Sequence, residues 1–150
     1  MRHPLIPDNV QSILIHSGCG GVGLAAIQLA QMLEAEVFVT VSTEEKVTFL
    51  VDKMNVPRNR IFSSRNTSFV DGIMRETKGR GVDLALNSLS GELLHETWRC
   101  IAEFGTMVEI GKRDILGAGK LDMDVFIANR SYCCVDLDQI VAQKPWVINR

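Results

Sequence analysis

The sequence predicts the α/β class, with a doubly wound parallel sheet of about six strands and helices on both faces. Two observations carry this. Short runs that are apolar from end to end, such as SILIH and EVFVTV, alternate with longer stretches of helical periodicity. Strands of that kind are buried on both faces, and parallel strands need a crossover between them, usually a helix. Four glycines (Gly18, Gly20, Gly21 and Gly23) also fall within six residues, directly ahead of the first helical stretch. Glycine costs conformational entropy, so a cluster of it implies close approach to the backbone.

The elements follow in order. Ser12–His16 is a short apolar strand. Gly21–Leu33 has helical periodicity with small residues on one side. Glu36–Val41 is a β-branched strand, and Glu44–Met54 an amphipathic helix with Ser42 or Thr43 as its N-cap. Ile61–Ser64 is a short strand. Phe69–Thr77 is a helix, with Thr67 or Ser68 before it and Gly79 after it. Val82–Asn87 is a strand, Gly91–Ile101 a helix and Gly105–Gly111 a strand. Leu121–Asn129 reads as a short helix and Ser131–Leu137 as the last strand. The closing run, DQIVAQKPWVINR, looks like the start of a helix that stops early, so both ends read as cuts through something larger. Six strands with helical crossovers make a Rossmann-type fold.

At 150 residues, 46% apolar and 23% charged, the chain has the composition of one soluble domain with a single good core. A net charge of −2 points to neither nucleic acid nor an anionic membrane. No apolar run reaches the roughly 18 residues of a membrane span, and MRHPLIPDNV lacks the apolar region of a secretory signal. Cys19, Cys100, Cys133 and Cys134 have no metal-ligand spacing. Zinc is not expected, and they read as reduced cytosolic thiols.

Gly18, Gly20 and Gly23 spell G-x-G-x-x-G after a strand and at the opening of a helix. That context points to a dinucleotide. The first glycine permits the turn, the second lets a pyrophosphate approach and the third lets helix pack on strand. The helix N-terminus adds unpaired N–H groups and partial positive charge. An NAD site carries an acid about 20 residues further on, at the end of the second strand. Here that tip is Ser42 and Thr43, with Lys46 following and Arg65 past the third strand. Hydroxyls and cations suit a 2′-phosphate, so NADP(H) is expected over NAD(H). His16 is read as a brace for the loop, without a catalytic role. His95 and Trp98 are read as packing residues. The Cys19 side chain is expected near the cofactor, without a nucleophilic role.

Three segments together resemble the enoyl-reductase domain of reducing polyketide synthases. They are GCGGVGLAAIQLAQMLEAEVFVTVSTEEK, FSSRNTSFVDGIMRETKGRGVDLALNSLSGELL and FGTMVEIGKRDI. They are similar, less closely, to the fatty acid synthase enoyl reductase; both groups are medium-chain dehydrogenases/reductases. The resemblance covers about Ser12 to Asp138. It implies transfer of the NADPH hydride to the β-carbon of a 2-enoyl thioester tethered to an acyl carrier protein. A proton then adds at the α-carbon.

Residue by residue, the resemblance implies that Gly18, Gly20, Gly21, Val22 and Gly23 hold the pyrophosphate. Ser42, Lys46 and Arg65 would take the 2′-phosphate. Asn87 and Ser88 would sit by the nicotinamide ribose, with Ile110 and Gly111 near the nicotinamide. Lys112 and Asp138 match the proton donor or its support. The chemistry suits a lysine at a strand's carboxyl end, because charge builds on the thioester oxygen and needs a partner. Without the family, Lys112 reads as a surface lysine beside Arg113 and Asp114, and Asp138 as a helix N-cap.

The superfamily also has a GroES-like domain that precedes and partly follows the nucleotide-binding domain. This chain has room for neither part, so residues 1–150 read as an NADP-binding fragment of a multidomain synthase. Family members are often dimers, and sheet extension through SYCCVDL is one route to a homodimer. Two other readings stand beside this one: a free-standing quinone or enone reductase, and a catalytically silent module.

Overall fold

A computed structural model describes residues 12–147. The stretch read as lacking a secretory signal (residues 1–10) and the last three residues of the closing run lie outside them. Six strands alternate with helices: β1 (Ser12–Ile15), α1 (Gly21–Met32), β2 (Glu36–Val41), α2 (Glu44–Met54), β3 (Ile61–Ser63), α3 (Phe69–Glu76), β4 (Val82–Asn87), α4 (Glu92–Arg99), β5 (Ile101–Glu109), α5 (Arg113–Leu116), β6 (Ser131–Cys134) and α6 (Leu137–Gln143). All pairs are parallel, and the sheet order is β3-β2-β1-β4-β5-β6. This is a Rossmann-type sheet. The winding reverses at β1, and in such sheets ligands bind outside the carboxyl ends of the strands beside the reversal.

Alternation along the strands builds two cores. Ile13, Ile15, Val37, Val39 and Val41 face Ile27 and Ala30 of α1 and Val47 and Leu50 of α2. Leu14, Phe38, Ala85 and Met107 face Phe69 and Ile73 of α3 and Leu94 and Trp98 of α4. The period of two thus places successive side chains in opposite cores, which is why the strands read as unbroken apolar runs. Helix α2 shows local and tertiary signals agreeing. Thr43 caps it by accepting from Lys46 N, Glu44 and Glu45 occupy its first turn, and Asn55 closes it at φ 55°.

The sequence reading needs correction at several boundaries. β1 ends at Ile15, β3 at Ser63 and α3 at Glu76, each one residue early. The first helix also stops a residue early, with Leu33 as its C-cap. Helix α4 spans Glu92–Arg99, and Ile101, read as its last residue, begins β5. A wide bulge hides that start: Val82 pairs with Ile101, but Leu84, two residues on, pairs with Thr106, five residues on. Phe104 takes φ 62° there, and Gly105 is needed because a Cβ would lie 2.9 Å from Asp83 O. β5 also ends at Glu109 rather than Gly111. The helix read over Leu121–Asn129 is only a 3₁₀ turn at Met123–Phe126, ended by positive φ at Ala128 and Asn129. The short α5 and a 3₁₀ turn at Arg58–Arg60 were not anticipated. The last strand stops at Cys134, and Leu137 opens α6.

Among the described residues the four cysteines are free thiols, and no helix is long and apolar enough to cross a membrane. Trp98 is fully buried, edge-on to Phe126 (4.7 Å) and Tyr132 (6.0 Å), and its Nε1 donates to Asp122 O at 3.1 Å. It joins α4 to the 3₁₀ turn and β6. Trp98→Ala is expected to cost about 3–5 kcal/mol, read as a lowered urea midpoint with an unchanged m-value. A loss below about 1 kcal/mol would show that this junction is not part of the cooperative core.

Candidate functional site

The glycine loop joins β1 to α1. Gly18 N donates to Thr40 O at 3.1 Å, which ties the loop to β2. A Cβ at Gly18 would lie 2.1 Å from Val39 Cγ1, and one at Gly23 would lie 2.5 Å from Ser17 O and 2.7 Å from Gly18 Cα. These two glycines therefore let strand, loop and helix touch. The positive φ of the turn falls on Ser17 (54°), not on Gly18, whose glycine is required by packing. Gly20 and Gly21 differ. Both are exposed, a Cβ at Gly21 would meet nothing within 4 Å, and one at Gly20 would meet Ser17 O only at 3.4 Å. Gly20 caps α1 without a side-chain bond, and the first turn holds no acidic residue. Bare backbone, open space and an uncapped helix start suit an anion. Val22, in the same turn, is half exposed.

A second cluster stands at the ends of β2 and β3. Lys46 Nζ donates to Ser42 Oγ at 3.2 Å, and Arg65 Nε donates to Ser42 O at 3.0 Å. Two cations and a hydroxyl thus converge at the β2 tip. Glu44, the nearest acid in sequence, is turned to Arg58 at 3.3 Å. Cys19 packs beside this cluster, with its Sγ 3.8 Å from Lys46 O; burial pushes its thiol up and Lys46 pulls it down.

A third cluster joins the ends of β4, β5 and β6. Asn87 is buried, and its Nδ2 donates to Leu89 O (2.8 Å) and Glu109 Oε2 (2.5 Å). Ile110 N donates to Asn87 O at 3.0 Å, and Gly111 N to Glu109 Oε1 at 2.7 Å. Ser88 Oγ reaches across to Ser17 Oγ in the glycine loop, at 3.4 Å. Burial pushes the Glu109 carboxyl above the usual range, against the pull of Asn87, Gly111 and Tyr132. A cavity of about 220 Å³ opens here, lined by Ser88, Leu89, Glu109, Gly111, Lys112 and Asp114 among others. A more apolar cavity of about 250 Å³, floored by Phe126 and Tyr132, shares Leu94, Asp114 and Ile115 with it; His95 lies in its wall.

Lys112 Nζ sits between two carboxylates, 2.8 Å from Asp136 Oδ1 and 2.7 Å from Asp138 Oδ2. The hydrogen bonds to Asp136 and then Asp138 hold its ammonium above the usual lysine range. Lys112 in turn holds Asp136 below the usual carboxylate range, aided by Gln139 N. The N-cap of α6 is Asp136, not Asp138, whose side chain is 88% exposed and bonded to Lys112.

His16 lies at the end of β1, buried. Thr97 Oγ1 donates to Leu93 O, so it accepts from His16 Nε2–H at 2.7 Å. Nδ1 then accepts from the Thr40 hydroxyl, also at 2.7 Å. That assigns one neutral tautomer, and burial lowers its pKa to about 3. The residue links β2 and α4 beneath the loop.

The twelve binding positions expected from the sequence thus fall in three clusters along the carboxyl edge of the sheet, and Lys112 and Asp138 meet beside the third. Sequence reasoning missed Glu109 and Asp136. Glu109 had a signal, being the one acid in the apolar run GTMVEIG; Asp136 was hidden because the last strand was drawn through it. Among the described residues no three His, Cys, Asp or Glu side chains come together as a metal site.

A family model described as "Zinc-binding dehydrogenase" matches residues 21–134. The highly reducing polyketide synthase sphB of Aspergillus fumigatus is 70% identical over 128 residues, 85% of this chain and 5% of that protein. The highly reducing polyketide synthase lcsB of Purpureocillium lilacinum is 59% identical over 140 residues, 93% of this chain and 6% of that protein. The chain thus spans about a twentieth of the curated relatives it matches. Among solved structures, the nucleotide-binding subdomain of the enoylreductase domain of PpsC from Mycobacterium tuberculosis superposes with a TM-score of 0.85 at 33% identity. That match covers 93% of this chain and 76% of that one.

Burial of neutral His16 makes stability depend on pH. Its folded pKa, about 3, lies below the ordinary value near 6.5. Between those values the unfolded chain binds the extra proton, so stability is full above pH 6.5 and falls as pH drops. The loss from pH 7 to 5 is expected to be about 2 kcal/mol. Glu109, with its pKa raised, works with the opposite sign near its own range. His16→Gln should flatten the pH 5–7 slope in urea titrations; an unchanged slope would mean that His16 is not the group responsible.

Proposed function

The chain belongs to the zinc-binding dehydrogenase family and, within it, to the nucleotide-binding part of polyketide synthase enoyl reductases; from that premise we propose that it is the NADP(H)-binding portion of such a reductase. The parent would transfer a hydride to the β-carbon of a 2-enoyl thioester tethered to an acyl carrier protein, in polyketide biosynthesis. The observation that carries this reading is the line of three clusters along one sheet edge: open glycine backbone, paired cations, and buried amide with lysine.

The residues present fit the cofactor. Gly20, Gly21 and the start of α1, spaced by Gly18 and Gly23 and flanked by Val22, would hold the pyrophosphate. Ser42, Lys46 and Arg65 would hold the 2′-phosphate, with Glu44, the nearest acid in sequence, turned to Arg58 instead. Asn87 and Ser88 would meet the nicotinamide ribose, and Ile110 and Gly111 the nicotinamide. NADPH, when bound there, supplies the hydride.

Lys112 carries the proton at Nζ. Asp136 and Asp138 keep it charged and aimed, so it is suited to face the oxygen on which negative charge grows. As an acid it is held back by the same carboxylates, which makes charge stabilisation the stronger of its two roles. Tethered substrate, carrier protein and the other synthase domains are the proposed partners, in the cytoplasm. A homodimer would use the outer edge of β6, the last strand of the sheet. A GroES-like domain of the parent would supply the rest of the cleft.

Calorimetric titration with NADPH and NADH tests the cofactor reading. NADPH should bind at least about tenfold tighter, and Lys46→Ala and Arg65→Ala should each remove about tenfold of that preference while leaving NADH unchanged. Equal binding of the two nucleotides would overturn the 2′-phosphate assignment. In the parent synthase, Lys112→Met should lower reduction of a crotonyl thioester by about 10²–10³ with NADPH binding retained. A wild-type parent that binds NADPH tightly but shows no turnover would be a silent module. One that reduces small quinones without carrier protein would be a free-acting reductase.

A further inference from the structure

Glu109 is buried to 1% exposure at the carboxyl end of β5. Its Oε1 accepts from Gly111 N at 2.7 Å, and its Oε2 accepts from Asn87 Nδ2 at 2.5 Å and from the Tyr132 hydroxyl at 3.4 Å. Its own carbonyl accepts from Val135 N at 2.8 Å. One side chain therefore ties the end of β4, the turn after β5 and the body of β6. The fit is close: a Cβ at Gly111 would lie 2.9 Å from Oε1, so the turn must be bare for the carboxylate to reach its N–H. Asn87 is fixed from its other side, with Nδ2 also on Leu89 O and Oδ1 accepting from Leu89 N at 3.3 Å. Its amide orientation is thereby set, and Glu109 receives a donor.

We propose that Glu109 is a positioning residue for the nicotinamide half of the cofactor site, fixing Asn87–Ser88 and Ile110–Gly111 in one arrangement and setting the backbone from which Lys112 departs. This rests on the cofactor reading above. Buried to 1% exposure, Glu109 would act through the two turns expected to meet the cofactor rather than by contact of its own. The sheet order makes the effect local. β5 lies three strands from β2, about 14 Å at ordinary strand spacing, so the Ser42–Lys46–Arg65 cluster has no share in this network.

The test is Glu109→Gln. Its volume is nearly conserved, but its NH2 must oppose one of two donors, Asn87 Nδ2 or, with the amide flipped, Gly111 N, so one of the two ties is lost; turning Asn87 to accept would cost both Leu89 bonds. Two titrations of the chain separate the ends of the site: NADPH, and adenosine 2′,5′-bisphosphate, which lacks the nicotinamide half. Binding of NADPH should weaken about tenfold and binding of the bisphosphate should stay within about twofold, with an unchanged far-UV spectrum. A parallel loss of both, or of neither, overturns the proposal, because a merely structural role gives no such split. Glu109→Asp provides a second variant if the first does not fold. It keeps the charge but is one methylene too short to span Gly111 and Asn87 together, and it should show the same split in smaller measure; NADPH binding at wild-type strength would again overturn the proposal. If the wild-type chain binds the bisphosphate but not NADPH, or neither, the cofactor reading fails first and this one with it. That outcome is distinguishable because it precedes any substitution.

Discussion

No side chain fits at Gly18 or at Gly23, and the architecture of the sheet's working edge depends on that. Without those two contacts, the loop could not lie against Val39, nor α1 start so close to the end of β1. The helix would have to move outward, away from the core that Ile27 and Ala30 fill against β1 and β2. The two other glycines of the loop carry no such packing demand and leave their backbone exposed. Four glycines thus divide by physical role: two bring protein to protein, and two leave room for something else. Substitution at the first pair forces atoms into overlap, whereas at the second it would fill the open face of an uncapped helix.

Buried polar side chains gather toward that same edge. Ser12 and Thr106 are buried elsewhere on the sheet, but His16, Thr40, Asn87 and Glu109 are buried at or just past strand carboxyl ends. Each is satisfied: among the described residues no buried side-chain polar atom lacks a hydrogen-bond partner. Such groups add little net stability when paired and cost several kcal/mol when orphaned. Their value is geometric. His16 holds β2 to α4 through two threonines, and Glu109 holds three strand ends. Both are raised or lowered in pKa mainly by burial, the mark of groups packed for position at the expense of easy ionisation.

Much of this was legible in the sequence where local and tertiary signals agree. Val37–Val41 reads as a buried strand because its residues feed two cores, and α2 reads cleanly because an amphipathic pattern follows Ser42 and Thr43, of which Thr43 is the cap. The cation pair at Ser42 was legible too, since Lys46 lies one helical turn past the strand tip. Arg65 reaches it from β3, the neighbouring strand. The failures have a common cause in tertiary contacts. β5 begins at Ile101 because that residue pairs with Val82 across a bulge, and no periodicity marks a strand interrupted by Phe104 in a left-handed conformation. The helical pattern of Leu121–Asn129 gives way to a 3₁₀ turn whose backbone is held by Trp98 Nε1 and by Arg130, which donates to Val125 O and Ile127 O. Asp136 was lost to a strand boundary three residues too long.

That boundary changes how Lys112 is understood. Asp136 does two things at once: it caps α6 by accepting from Gln139 N at 3.2 Å, and it takes Lys112 Nζ with its Oδ1. Because both bonds use the same oxygen, the start of α6 and the position of the lysine cannot shift independently. Asp138, one residue inside the helix and far more exposed, can follow the ammonium but does not fix it. The lysine therefore has one partner anchored by the helix cap and one that is more exposed. Glu109 stands at the other end of the same turn, holding Gly111, so the segment from Gly111 to Lys112 is restrained at its backbone by β5 and at its side chain by α6. In the role proposed for it, a charged group held at both ends would need little reorganisation to meet developing charge, and reduced reorganisation is the principal advantage a protein dipole or ion has over water.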